Sequence, residues 1–128
     1  MVEKDYVMRI VHEMIRTLIR LIFQKDIDEG EEIIFSEEAR QRNELLKKLI
    51  DAGKIEEAEN RLLDEMENGS GVTLEATLMF YEYLNGKSND FLESHNFSRK
   101  EVIEGVRYVS GYYGYGSMAE SLLEEGME

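Results

Sequence analysis

The chain of 128 residues has no cysteine, no proline and no tryptophan. Without cysteine there is no disulfide, no thiol nucleophile, no thiolate zinc site and no iron–sulfur cluster. Average usage would place roughly six prolines in such a chain. Proline breaks helix interiors because it lacks the N–H and its ring clashes with the preceding turn. Its absence fits a chain that is helical throughout, with connections made by glycine. Positive charge is also scarce: 15 Lys and Arg stand against 28 Asp and Glu, a net charge of −13. Phosphate backbones are gripped by clustered Lys and Arg, so no nucleic-acid partner is expected. No run approaches the ~20 apolar residues of a membrane span, so no membrane insertion is expected. Glu3, Lys4, Asp5 and Arg9 interrupt the start, where a secretory signal would need an apolar stretch. The expectation is a cytoplasmic protein.

The charge is uneven. Residues 1–25 hold five basic against three acidic side chains, residues 26–69 six against fifteen, and residues 70–128 four against ten. The basic excess lies on the first stretch, Asp5 to Gln24. Wound as a helix, it gathers Val7, Met8, Ile10, Val11, Met14, Ile15, Leu18, Ile19, Leu21 and Ile22 on one half. The polar half carries Arg9, His12, Glu13, Arg16 and Arg20. So broad an apolar face must be covered by other helices.

An acidic linker over residues 26–36 follows, around Gly30, with Ile33, Ile34 and Phe35 as its apolar anchor. Ser36 is a suitable N-cap for a helix to about Ala52, with Leu45, Leu46, Leu49 and Ile50 inward. Gly53 ends it, and a second helix, Lys54 to about Asn68, buries Ile55, Ala58, Leu62, Leu63 and Met66. The short connection makes the two antiparallel neighbours. Thr73 to Asn85 is apolar on most sides, so it sits between other helices or in an interface. Ser88 to His95 is a short helix. Ser98 and Glu101 form a capping box for a helix to about Tyr113, with Val102, Ile103, Val106, Val109 and Tyr113 inward. Ser117 and Glu120 form a second such box, opening a terminal helix whose last residues fray.

Two stretches resemble known families. Leu45, Leu49, Gly53, Ala58 and Leu62 fall at the spacing of one tetratricopeptide unit. Glu65 and Leu46 stand where that family has small residues and Ser70 where it has proline, and no second copy follows one period later. The likeness implies a helical hairpin, without the concave groove of an array. Separately, Asp5-Tyr6-Val7-Met8-Arg9-Ile10 and the helix it opens, residues 5–23, resemble an uncharacterised family of small helical proteins from Gram-positive bacteria. That likeness implies no activity and no site residues.

Site motifs are few. His12-Glu13-Met14-Ile15-Arg16 begins like a zinc-protease helix, but arginine replaces the second histidine. No Glu-x-x-His is present for a carboxylate-bridged di-iron site. His12 therefore reads as part of a solvated polar face, and Glu56, Glu57 and Glu59 as exposed charges. The Gly111–Gly116 run has the wrong spacing for a nucleotide loop and reads as helix termination. No metal, cofactor or catalytic residue is expected. Tyr108, Tyr112 and Tyr115 recur at helical spacing outside the inward stripe. Tyrosine combines large contact area with a polar tip, so with Met79 and Phe80 they form the candidate interface. Arg9, Arg16 and Arg20 form a candidate charge-pairing stripe, partnered by acids of residues 26–69 or of a second copy.

The expected fold is all-α: one domain over residues 1–128, an irregular antiparallel bundle of five or six helices with a central tetratricopeptide-like hairpin. The expected function is non-enzymatic, a scaffold or interaction module whose partner is another protein or itself, most simply as a homodimer. A regulatory ligand-binding or membrane-surface domain is the alternative, and carboxylate-based catalysis the third reading.

Overall fold

A computed structural model describes residues 2–24 and 32–127 of the chain. Eight helices occur among them: α1 (Val2–Phe23), α2 (Glu37–Arg42), α3 (Glu44–Asp51), α4 (Ile55–Glu67), α5 (Leu74–Asn85), α6 (Asn89–Ser94), α7 (Arg99–Tyr112) and α8 (Gly116–Met127). The described residues contain no strand. The acidic linker expected from residue 26 lies, up to residue 31, outside the described residues. Beyond it Phe35 is buried as expected, while Ile34 points to solvent.

The helix count exceeds the expected five or six because the short segment Asn89–Ser94 stands as a helix of its own and the helix predicted from Ser36 to Ala52 is broken. At Asn43 the backbone leaves the helical path (φ −93°, ψ −2°). The buried Asn43 amide donates to the carbonyls of Ala39, at 2.9 Å, and of Ala76 in α5, at 3.0 Å. A side chain that bonds backbone carbonyls competes with the regular ladder, and here it docks the break onto α5.

The α3–α4 connection is as expected. Gly53 takes φ +84°, and the N–H groups of Gly53 and Lys54 donate to the carbonyls of Ile50 and Leu49, both at 2.8 Å. This double bond closes the carbonyl end of α3. A Cβ at Gly53 would also stand 2.3 Å from the His95 ring, so the turn is sealed by the residue that caps α6.

The centre of the bundle is α5, which packs on α1, α2, α3 and α7. Leu78, Phe80, Tyr81 and Leu84 are completely enclosed. Its two charged residues are taken up by neighbours. Glu75 accepts the Ser36 N–H at 2.8 Å and the Ser36 hydroxyl at 3.0 Å, and Glu82 meets His12. Helix α1 lies alongside with Val11, Met14, Ile15, Leu18 and Ile19 buried. Two residues assigned inward by periodicity are exposed instead, Leu21 at the end of α1 and Leu45 at the start of α3.

The carbonyl end of α5 is closed by Arg99, the first residue of α7. Its guanidinium is buried and donates to the Asn85 carbonyl at 2.6 Å and to the Asn89 side chain at 3.1 Å. A cation at a helix C-terminus also complements the dipole. The Ser98 N-cap forms, the hydroxyl accepting the Glu101 N–H at 3.2 Å, but the Glu101 carboxylate accepts from that hydroxyl at 3.4 Å rather than from the Ser98 N–H as a full capping box would have it. The second expected box does not form. Helix α8 begins at Gly116, ahead of Ser117, and Glu120 is held by Arg107 of α7 at 2.5 Å. The terminal helix runs to Met127, with the Tyr6 hydroxyl donating to the Gly126 carbonyl at 2.5 Å.

Candidate functional site

The tyrosines of α7 meet α4 across a narrow cleft floored by α5. On α4, Glu59, Leu63 and Glu67 recur every four residues and share one stripe. On α7, Glu101, Gly105, Tyr108 and Tyr112 share the facing stripe. Between them Tyr81 of α5 rises from the core. It lies directly beneath the cleft, still enclosed, because position 105 is glycine: a Cβ there would lie 2.2 Å from Cε1 of the Tyr81 ring. The Tyr81 hydroxyl passes this gap and donates to Glu59 at 2.7 Å. Below, the Tyr81 ring meets Phe80 edge-on, with centroids 5.0 Å apart. The cleft has a volume of about 250 Å³, and Glu59, Leu63, Tyr81, Glu101, Glu104 and Tyr108 surround it.

The electrostatics of the cleft are one-sided. Burial lifts the Glu59 carboxyl above the ordinary glutamate range. The Tyr81 hydrogen bond opposes that rise, and the charges of Glu101 and Glu56 add to it. Burial, above all, pushes the Tyr81 hydroxyl far beyond its usual value, and the Glu59 charge adds to this. Tyr108 donates to Glu67, which also raises its hydroxyl. Tyr112 reaches the Met66 carbonyl at 3.4 Å. Both rings nonetheless remain about half exposed, 46% for Tyr108 and 49% for Tyr112. They are held on the surface by their hydroxyls rather than folded inward.

The expected interface is therefore brought together only in part. Tyr108 and Tyr112 are adjacent on the surface. Met79 and Phe80 are not with them: both are buried in the core, because α5 is enclosed on every side that its apolar residues occupy. Tyr115 is half-buried and packs against the core beyond the end of α7. Glu59, read as a solvated charge, is instead the acceptor at the cleft floor. Tyr81 and Gly105 complete the site and were not singled out as functional. The signal for Tyr81 was present in principle, since a phenol inside an apolar helix needs a hydrogen-bond partner from another element.

The arginine stripe also divides. Arg16 is buried and donates to Glu13 of its own helix at 2.6 Å and 3.1 Å. Arg9 and Arg20 are exposed. Arg9 borders a second groove of about 430 Å³ between α1 and α8, with Tyr6, Met14 and Leu122. His12, expected on a solvated face, instead lies 2.6 Å from Glu82 of α5.

Among the described residues no three His, Asp or Glu side chains converge to hold a metal ion. No helix among them is long and apolar enough to cross a membrane. A family model described as a family of unknown function, DUF6483, matches residues 1–114. The matched stretch contains the whole cleft and stops just before α8. No curated protein and no solved structure matches the chain.

Proposed function

The chain belongs to the DUF6483 family of unknown function, and we propose that it is a protein-interaction module whose docking face is the α4–α7 cleft with Tyr108 and Tyr112. The observation that carries this reading is the pair of half-exposed rings whose hydroxyls are already bonded to Glu67 and to the Met66 carbonyl. Large aromatic area held in place loses little side-chain freedom when a partner covers it. On this reading α3 and α4 act as a tetratricopeptide-like hairpin within an irregular antiparallel bundle, and α4 supplies one wall of the face. The acidic, cysteine-free composition suits the cytoplasm.

A non-enzymatic role fits the same geometry. The two hydroxyls at the cleft, Tyr81 and Tyr108, donate to Glu59 and Glu67, so neither is free to stabilise a developing negative charge. The groove between α1 and α8 favours a second reading, a small-ligand site with an apolar floor of Ile10, Met14 and Leu122.

Site-specific photo-crosslinking in the native cell tests the docking reading. A benzoylphenylalanine at position 112 is expected to give a discrete adduct, and the same group at position 124 on α8 is not. Equal adduct patterns from both positions, or none from either, would remove the proposal.

A further inference from the structure

The occupant of the cleft can be narrowed by its charge. Three carboxylates border it, Glu59 from α4 and Glu101 and Glu104 from α7, and a fourth, Glu67, accepts from the Tyr108 hydroxyl. Among the described residues no Lys or Arg makes an ion pair with Glu59 or Glu101, although Glu104 is met by Arg107 at 3.1 Å. Glu59 is half-buried and shares its surroundings with the Glu101 and Glu56 charges. Among the described residues its hydrogen-bond partner is Tyr81, a neutral donor. The uncompensated charge of the cleft is thus that of Glu59 and Glu101, beside the Tyr108 ring.

This argues against a second copy. A two-fold dimer places the same patch on both sides of the interface. It would press these glutamates against their own images, in a chain whose net charge is already −13. Like charges brought together in a closing interface are strongly disfavoured. An apolar helix would fare little better, since covering Glu59 without pairing it strips a carboxylate of water. A cationic side chain satisfies every feature at once. A guanidinium or ammonium gains the carboxylates, and its face or stem packs on the Tyr108 ring and on Leu63.

We propose that the cleft receives an arginine- or lysine-bearing segment of a partner protein, its charged head between Glu59 and Glu101 and its stem along Tyr108. This rests on the docking reading above and adds the chemistry of the partner. The geometry orders the contributions: Glu59 and Glu101 supply charge, Tyr108 supplies the stacking wall, and Gly105 keeps the floor open to Tyr81.

The test uses the full chain and a fluorescein-labelled arginine–glycine repeat peptide, with a glutamate–glycine repeat of equal length as comparison, in about 0.15 M salt, where surface charges beyond roughly 8 Å are screened. Binding of the arginine peptide alone is expected. Glu59→Gln with Glu101→Gln is expected to weaken it by about tenfold or more, and Tyr108→Leu by about threefold. The equal charge loss Glu44→Gln with Glu124→Gln, at exposed positions on α3 and α8, is expected to leave it within about twofold. Helical circular dichroism of each variant confirms folding, and the glutamine changes preserve shape. Equal weakening by both double variants would mean attraction to net charge alone and would overturn the site. Absence of binding, or binding of the glutamate peptide, would overturn it as well. An adduct from position 112 together with such a failure would leave the docking face standing and remove the basic partner. A crosslinked adduct consisting of two copies of this chain would also overturn it.

Discussion

His12 and Glu82 join the first helix to the central one: His12 Nδ1 stands 2.6 Å from Glu82 Oε2 across 70 residues of sequence. The second Glu82 oxygen is buried with no hydrogen-bond partner among the described residues. Burial lifts the Glu82 carboxyl above its ordinary range, and His12 opposes that rise. His12→Ala leaves the carboxylate without its one visible partner, and the expected cost is about 1–2 kcal/mol. Urea unfolding at neutral pH measures it. His12→Gln, which keeps a donor, is expected to recover part of the loss. An unchanged midpoint for His12→Ala would show that the pair contributes nothing.

Glu59 predicts a pH-dependent gain. Its folded carboxyl is raised above its unfolded value, so folding favours the protonated form. The associated stability is present below the unfolded value and is lost as pH rises through the folded one. Once ionised, the half-buried group is therefore a burden. Glu59→Gln, whose carbonyl can still accept from Tyr81, is expected to melt above wild type at neutral pH. The gap is expected to narrow as pH falls and to close well below about pH 4, where the carboxyl is protonated in the folded and the unfolded chain alike. A melting difference constant across that range would contradict the assignment.

Gly105→Ala tests the gap through which Tyr81 passes. The added Cβ stands 2.2 Å from the ring, so α7 or Tyr81 must move. Overpacking of this kind costs about 1–3 kcal/mol. Adding Tyr81→Leu removes the obstructing ring atoms, so the double variant is expected to lose less than the two single losses combined. Strict additivity in thermal or urea unfolding would mean that the two positions do not press on one another.

Arg99→Met tests the closure of α5. The substitution preserves apolar volume but removes the donors that serve the Asn85 carbonyl and the Asn89 side chain. Orphaned buried acceptors make the expected cost about 2–4 kcal/mol. Hydrogen exchange offers the local readout, with amides at the end of α5 exchanging faster. Retained protection there would assign the closure to other groups.

The features legible in the sequence are those whose cause is local. The Ser98 N-cap and the Gly53 turn are fixed by residues three to five apart, and both appear as expected. The buried stripes of α4 and α7 follow from helical periodicity. The break at Asn43 was not legible, because its cause is the Ala76 carbonyl, 33 residues away on another helix. The same holds for His12 with Glu82 and for Tyr81 with Glu59. Periodicity says which residues leave water, and it does not say which buried polar group meets which. Met79 and Phe80 were misplaced for a related reason. A helix apolar on most sides is equally suited to a core or to an interface, and only its neighbours decide.

Tyr81 has its ring in the interior and its oxygen on a carboxylate at the surface. With no tryptophan in the chain, near-ultraviolet optical activity arises from tyrosine and phenylalanine, and an immobilised ring of this kind contributes strongly. The molecule thus carries its own optical gauge: ionisation or neutralisation of Glu59 changes the field on a chromophore locked in the core, and the spectrum records it without any added label.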